Sequence, residues 1–461
     1  MDKLFGSNGI RGIVNKDLTP SFVLDISRAI GTYFGKNKKI LISRDYRFGG
    51  EFLEKMAESG LLISGIEVFE SDPVPIPALQ FCIKTMQFDG GIMITASHNP
   101  YQFNGIKVIG QNGIELERKE EEKIEKIFYN KSFSNLNFNE LKYNVKKQVN
   151  IISNYVNAVL SNINKQKIRS KRFKVLIDPI NSVGAITSSL IARELNCKIY
   201  WTNKEPNPLF PERQPEPNPD TLTKTARIVK SLKVDLAIAH DADADRIIFI
   251  DNKGRIQFGD RSGTLIAKHL CKKLKNNLNN NKISKKVITA VSSSVLVEEF
   301  LNKLGIDVVW TKVGAPTVSH ALLKQNGLCG FEDNGGFLFP MHQYVRDGGM
   351  TFALMLELLS DSNSTSSQLF DTLPKYYPIK TKIPITNNFD LNLIEAKIKK
   401  DFKSKIKKVI KIDGLKIIGD DFWFLIRKSG TESIIRIMAE AKDKNHVESI
   451  VKNLKQIISG S

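Results

Sequence analysis

The feature that most constrains this chain is a repeated alternation in which apolar runs rich in β-branched residues give way to segments of helical periodicity. Lys39 to Ser43, Glu51 to Ser64, Ile66 to Phe69, Pro77 to Met86 and Gly91 to Thr95 read in turn as strand, helix, strand, helix and strand. A second passage of this kind starts at Phe173, within RFKVLIDP, and ends on DLAIAHD. A third starts near Asp260 and ends on LCGFED. Strands that are apolar throughout need cover on both faces, so the pattern predicts three α/β units on mainly parallel sheets. Beyond the Ser/Asn stretch Ser360 to Ser367, which reads as a linker, come a helix, strands around DGLKIIGDDFWFLIRKSG and IIRIMAEA, and a closing helix. This predicts a smaller α+β unit, and the expected domains are residues 1–146, 147–251, 252–367 and 368–461.

With 461 residues, 41% hydrophobic and 25% charged, a disordered chain is excluded. The net charge of +19 is heaviest after residue 371 and points to polyanions, to phosphorylated small molecules, or to a Lys-rich surface. Cys82, Cys197, Cys271 and Cys329 form no CxxC pair, which excludes a disulfide framework and a structural zinc site. With no signal-like N-terminus and no apolar run long enough for a membrane span, a cytoplasmic protein is expected.

Five motifs carry chemistry. In GIMITASHNP, Gly91 to Pro100, a buried strand runs into Ser97 at a point where α/β folds place ligands, although Ser and Asn there also suit a capping turn. In HDADADRI, His240 to Ile247, alternation puts Asp241, Asp243 and Asp245 on one side with small Ala242 and Ala244 between them. A modest curl would wrap the three carboxylates around one hard divalent cation, with Mg²⁺ the expected ion, and Arg246 follows directly as a partner for phosphate or carboxylate. In RKSGTESIIRI, Ser429, Gly430 and Thr431 can form a phosphate nest flanked by Arg427 and Arg436, or simply a hairpin turn with surface arginines. In GFEDNGG, Glu332 and Asn334 share one face suited to sugar hydroxyls, with a Gly-rich turn as the alternative. FGSNGIRG offers Arg11 to a phosphate.

TASHNP, DADADR, GFEDNGG and RKSGTES, in this order and after FGSNGIRG, resemble the motifs of the α-D-phosphohexomutases over essentially the whole chain. The resemblance implies four domains around a central cleft. Ser97 would be a phosphoserine that gives its phosphoryl group to a hexose phosphate and takes the other phosphate back from a 1,6-bisphosphate, which also serves as activator. Asp241, Asp243 and Asp245 would hold Mg²⁺ together with a phosphoserine oxygen at Ser97, and Arg11, His98 and Arg246 would surround the phosphoryl group. Lys107 matches the general acid/base, a role that near pH 7 calls for a pKa depressed by cationic neighbours and the metal. Glu332 and Asn334 would take the sugar hydroxyls, Arg427, Ser429, Gly430, Thr431 and Arg436 the non-transferring phosphate, and Lys312 to Gly314 a second cleft contact.

The common bacterial sugar loop reads GE, a variable residue, then SGH; here Asn334 stands for the serine and Gly336 for the histidine. With RDGGMT at Arg346 to Thr351, this form is more similar to archaeal members. Phosphoglucosamine mutase activity is therefore expected, with phosphomannomutase or phosphoglucomutase activity as the alternative. A small hexose phosphate is the expected partner, with no nucleic acid and no membrane, for a monomer or homodimer. A nucleic-acid-binding protein fits the charge but lacks a helix-turn-helix, an RNP-like motif or aromatics among the basic runs. A metal-dependent sugar phosphatase would use the Asp cluster without returning the phosphate.

Overall fold

In the computed structural model, which describes residues 3–6, 8–141, 144–276, 284–385, 391–402, 405–428 and 434–459, four sheets follow one another along the chain. The first runs in the order Ile10–Ile13, Phe103–Gly110, Gly90–Ile94, Lys39–Arg44, Glu67–Glu70, Lys146–Lys147. The second runs Ile256–Gln257, Ile247–Asp251, Leu236–His240, Lys174–Asp178, Lys198–Trp201, and its edge strand thus lies past the expected boundary at Asp251. The third runs Asp307–Thr311, Ser284–Ala290, Gly327–Phe331, Phe337–Phe339, Gln343–Arg346. The fourth, Tyr377–Pro384, Ile434–Ala441, Phe422–Lys428, Leu415–Ile418, Lys408–Ile410, is antiparallel throughout.

The first three sheets are mixed rather than purely parallel. In each, the central strands pair in parallel, as the alternating helices require, and then the chain turns back on itself. Gly90–Ile94 pairs antiparallel with Phe103–Gly110, Leu236–His240 with Ile247–Asp251, and Gly327–Phe331 with Phe337–Phe339. The three motif loops sit at these hairpin turns, and RKSGTES joins the corresponding antiparallel pair of the fourth sheet.

The strands Gly90–Ile94, Leu236–His240 and Gly327–Phe331 are buried along their whole length, which accounts for their apolar or small residues, with the hydrogen-bonded His240 the exception. One apolar core runs through the first three units, from Leu41 and Ile83 through Ile177 and Phe249 to Phe331 and Phe352. The fourth unit has its own core around Ile417, Phe424, Ile437 and Leu454, and a small cluster of Val291, Val295, Ile410, Trp423 and Leu425 joins it to the third.

Ser360 to Ser367 is not a linker. It spans the end of the helix Gly348–Asp361 and the start of the helix Ser366–Asp371, which Thr365 caps. Ser366 Oγ donates to the Asp235 carbonyl at 2.6 Å, and Ser367 N–H to Asn252 Oδ1 at 2.9 Å. Small polar side chains here act as caps and staples between units, a use that composition does not distinguish from a flexible stretch. Among the described residues no helix is long and apolar enough to cross a membrane.

Candidate active site

Ser97 stands at the turn of the first hairpin, buried, with φ at +51°. That left-handed backbone costs a residue with a Cβ on the order of 1–2 kcal/mol, so its surroundings must enforce it. Thr95 Oγ1 accepts from Ser97 N–H at 2.8 Å and donates to Asp45 at 2.6 Å. The buried guanidinium of Arg47 donates to the carbonyls of Ser97, Asn99 (2.7 Å), Pro100 (3.0 Å) and Phe103 (3.2 Å). Asp45 balances that charge at 3.4 Å, and burial raises its own pKa to about 6. The Ser97 hydroxyl donates to Asp241 Oδ2 at 2.7 Å and lies 3.3 Å from His98 Nδ1. Arg11 reaches the same loop, donating to Asn99 Oδ1 at 2.5 Å.

The second hairpin supplies the carboxylates. Ala244 takes φ +56° and its N–H bonds the Asp241 carbonyl at 3.2 Å, which is the curl that alternation alone would not produce. Asp241, Asp243 and Asp245 are all buried, with ligand oxygens within 4.8 Å of one another. Burial, reinforced by the other two carboxylates, pushes the Asp241 carboxyl well above its ordinary range. Oδ1 of Asp243 and Oδ1 of Asp245 have no hydrogen-bond partner among the described residues. Three buried carboxylates, two of them with an unpartnered oxygen, beside a hydroxyl fit a hard divalent cation. Behind the loop, His240 braces it through Ser188 Oγ (2.8 Å) and the Arg246 carbonyl (3.0 Å). The Arg246 guanidinium is 3.8 Å from Asp241 and 3.9 Å from Asp245.

Lys107 arrives from the return strand of the first hairpin, opposite Met93, and is 1% exposed. Its Nζ lies 2.8 Å from Asp243, 3.4 Å from Asp245 and 3.5 Å from Glu115. The depressed pKa expected for it is not found: burial alone would lower it, but these carboxylates outweigh burial and hold the ammonium above its ordinary range. Asp243 is correspondingly held below the carboxylate range, with Lys107 overcoming the effect of burial. His98 is held well below its ordinary pKa by burial and by Arg246 and Arg11, so its imidazole is neutral.

The third hairpin brings Glu332 next to this group. Its Oε1 accepts the Gly314 N–H at 3.2 Å, which joins it to the Lys312 to Gly314 segment, and its Oε2 is 3.4 Å from Arg346. Arg346 reaches Asp245 at 2.5 Å. Asn334 Oδ1 accepts the Gly336 N–H at 3.1 Å within its own loop. The hairpins themselves are joined by the Ile247 N–H to Gly335 carbonyl bond at 3.0 Å. Arg427 and Arg436 face each other across the fourth sheet, while Ser429, Gly430 and Thr431 lie outside the described residues. Asp413 accepts from Arg427 at 3.2 Å and from the Val313 N–H at 3.1 Å, so the arginine is tied to the segment that carries Gly314. Arg47, Arg346 and Asp413 were not read as site residues from sequence. Only the arginines carried a signal: in SRDYR, Arg47 comes three residues after the strand Lys39–Arg44, and in YVRDGG, Arg346 ends the strand Gln343–Arg346.

Comparison with known proteins gives a consistent result. Sequence patterns of the phosphoglucomutase/phosphomannomutase family match in order: alpha/beta/alpha domain I over residues 2–135, domain II over 153–254, domain III over 258–377 and the C-terminal domain over 382–457. A phosphoglucosamine/phosphogalactosamine mutase of Sulfurisphaera tokodaii is 54% identical over 460 residues, covering 100% of both chains. A phosphoglucomutase/phosphomannomutase of Thermococcus kodakarensis is 38% identical, again over 100% of both. Among solved structures, a phosphoglucomutase/phosphomannomutase family protein from Burkholderia thailandensis superposes with a TM-score of 0.86 at 22% identity, over 99% of this chain and 97% of that one. The Aspergillus fumigatus N-acetylphosphoglucosamine mutase in complex with GlcNAc-6P and magnesium gives 0.67 at 16% identity, over 99% and 96%.

Proposed function

As this chain belongs to the phosphoglucomutase/phosphomannomutase family and is a phosphohexomutase, an isomerase, we propose that it interconverts glucosamine 6-phosphate and glucosamine 1-phosphate with Ser97 as the phosphoryl carrier. The observation that carries the assignment of Ser97 is its hydroxyl, 2.7 Å from a carboxylate of the buried Asp triad. The choice of sugar rests on the relative that is 54% identical over its full length.

In this reading Asp241, Asp243 and Asp245 hold Mg²⁺, which when bound offsets charge on the phosphoryl group in transfer. The cycle starts from phosphorylated Ser97. The sugar hydroxyl takes that phosphoryl group and its proton passes to the departing Ser97 oxygen, the resulting 1,6-bisphosphate turns around, and Ser97 Oγ recovers the other phosphate, its proton replacing the one that Lys107 gives up. Arg11, Arg246 and neutral His98 surround the group in flight as donors. Lys107, kept protonated by Asp243 and Asp245, supplies a proton to the sugar oxygen that leaves when Ser97 is rephosphorylated. Glu332 and Asn334 take ring hydroxyls, while Arg427, Arg436 and the Ser429 to Thr431 loop hold the phosphate that stays.

The test is a panel of glucosamine, N-acetylglucosamine, glucose and mannose phosphates, assayed with Mg²⁺ and a trace of hexose 1,6-bisphosphate. Glucosamine phosphate is expected to give the highest kcat/KM, the bisphosphate to stimulate, and Ser97→Ala to lose activity by several orders of magnitude with its melting temperature retained. Release of free phosphate in step with turnover, or near-normal mutase activity in Ser97→Ala, would overturn the carrier role.

A further inference from the structure

Gly336, in the GFEDNGG loop, has no room beside it for a side chain. A Cβ built on Gly336 would lie 2.2 Å from Arg346 Cδ and 2.8 Å from its Cγ. Carbon atoms in contact sit about 3.5–4.0 Å apart, so the stem of Arg346 occupies the volume a side chain at 336 would need. Arg346 enters from the end of the strand Gln343–Arg346, opposite Leu338, and is 4% exposed. Its fork joins two loops, with 2.5 Å to Asp245 and 3.4 Å to Glu332. With the Asn8 amide turned so that its oxygen faces the guanidinium, a third contact forms at 2.9 Å, and the amide nitrogen meets Glu115 at 3.1 Å.

We infer that Arg346 is a positioning residue that ties Glu332 on the sugar side to Asp245 in the carboxylate triad, and that Gly336 is the position that admits it. The inference rests on the assignment of Glu332 to sugar hydroxyls made above. Two buried carboxylates from different hairpins repel without a shared cation, and a planar guanidinium can serve both where a point-charge ammonium serves one. Glu332 is then fixed from two directions, by Arg346 and by the Gly314 N–H.

A double-mutant cycle on the full chain tests this, with Gly336→Ala, Arg346→Met, the pair together, and Arg346→Lys. KM and kcat for glucosamine phosphate are read beside Mg²⁺ affinity by calorimetry on sugar-free protein, and circular dichroism melting checks the fold. Gly336→Ala and Arg346→Met are each expected to raise KM and to weaken Mg²⁺ binding roughly tenfold, a size usual for coupled residues in contact. The double variant is expected to be no worse than Arg346→Met, because the added methyl then has no guanidinium stem to displace. Arg346→Lys is expected to restore Mg²⁺ affinity more than KM. Unchanged KM and Mg²⁺ affinity in Gly336→Ala, or multiplying effects in the double variant, would overturn the inference. A wild-type protein inactive on every hexose phosphate would count against the proposed function instead, and the calorimetric cycle would still decide the Arg346 to Asp245 link.

Discussion

Arg47 governs the geometry of Ser97 more than any feature of Ser97 itself. One buried guanidinium satisfies four backbone carbonyls across residues 97–103 and so enforces a left-handed serine. Arg47→Ala is expected to destabilise the protein by about 3 kcal/mol, the size seen when one member of a buried charged pair is removed, and to lower kcat. Arg47→Lys, with a single point of charge, should fall between the two. Urea unfolding checks both, and an unchanged midpoint in Arg47→Ala would refute the role. At this scale the sequence was partly legible. The Asp triad announces itself because its three carboxylates are neighbours along the chain as well as in space, and Ser97 because it follows an apolar strand. Arg47 does not, because every carbonyl it serves lies some fifty residues away, and the kink at Ala244 that gathers the carboxylates has no sequence signature, alanine being a poor residue for it.

Among the elements, the strands were legible and their directions were not. Parallel and antiparallel strands buried on both faces share one apolar pattern, so IIFID after DADADR gave no sign that it pairs antiparallel with LAIAH. The fourth sheet holds a case where pattern and burial conflict. Lys416, in the strand Leu415–Ile418, is fully buried with its ammonium 3.9 Å from the Trp310 ring centroid and 4.2 Å from that of Trp423, donating to the Ser293 carbonyl at 2.6 Å. Burial lowers its pKa from 10.5 to about 7, against the pull of Glu440 and other nearby carboxylates. Between those values the unfolded chain keeps a proton that the folded protein has given up, so this residue makes stability rise with pH from about 7 to 10.5. In Lys416→Met that rise should be lost. Urea midpoints for both proteins across this range measure it, and parallel curves would contradict the assignment.

For the whole molecule, one core shared by three sheets predicts that those units unfold together, while the fourth, with its own core and a small joining cluster, opens more easily. Native-state hydrogen exchange is expected to show lower opening free energies for amides of Phe422–Lys428 than for Leu236–His240; equal protection would argue against it. The division into three α/β units and a smaller last one was readable from the alternation, but the shared core was not, since it is made of contacts between units that no local period records. The placing of four of the five motifs between neighbouring antiparallel strands has a consequence for how such a molecule changes over time. Both ends of each loop are fixed on neighbouring strands about 4.8 Å apart, so residues can be exchanged, gained or lost between them without shifting the sheet register. The sheets act as a chassis and the loops as exchangeable fittings, and the stem of Arg346 packed against Gly336 shows how closely one fitting is cut to its neighbour.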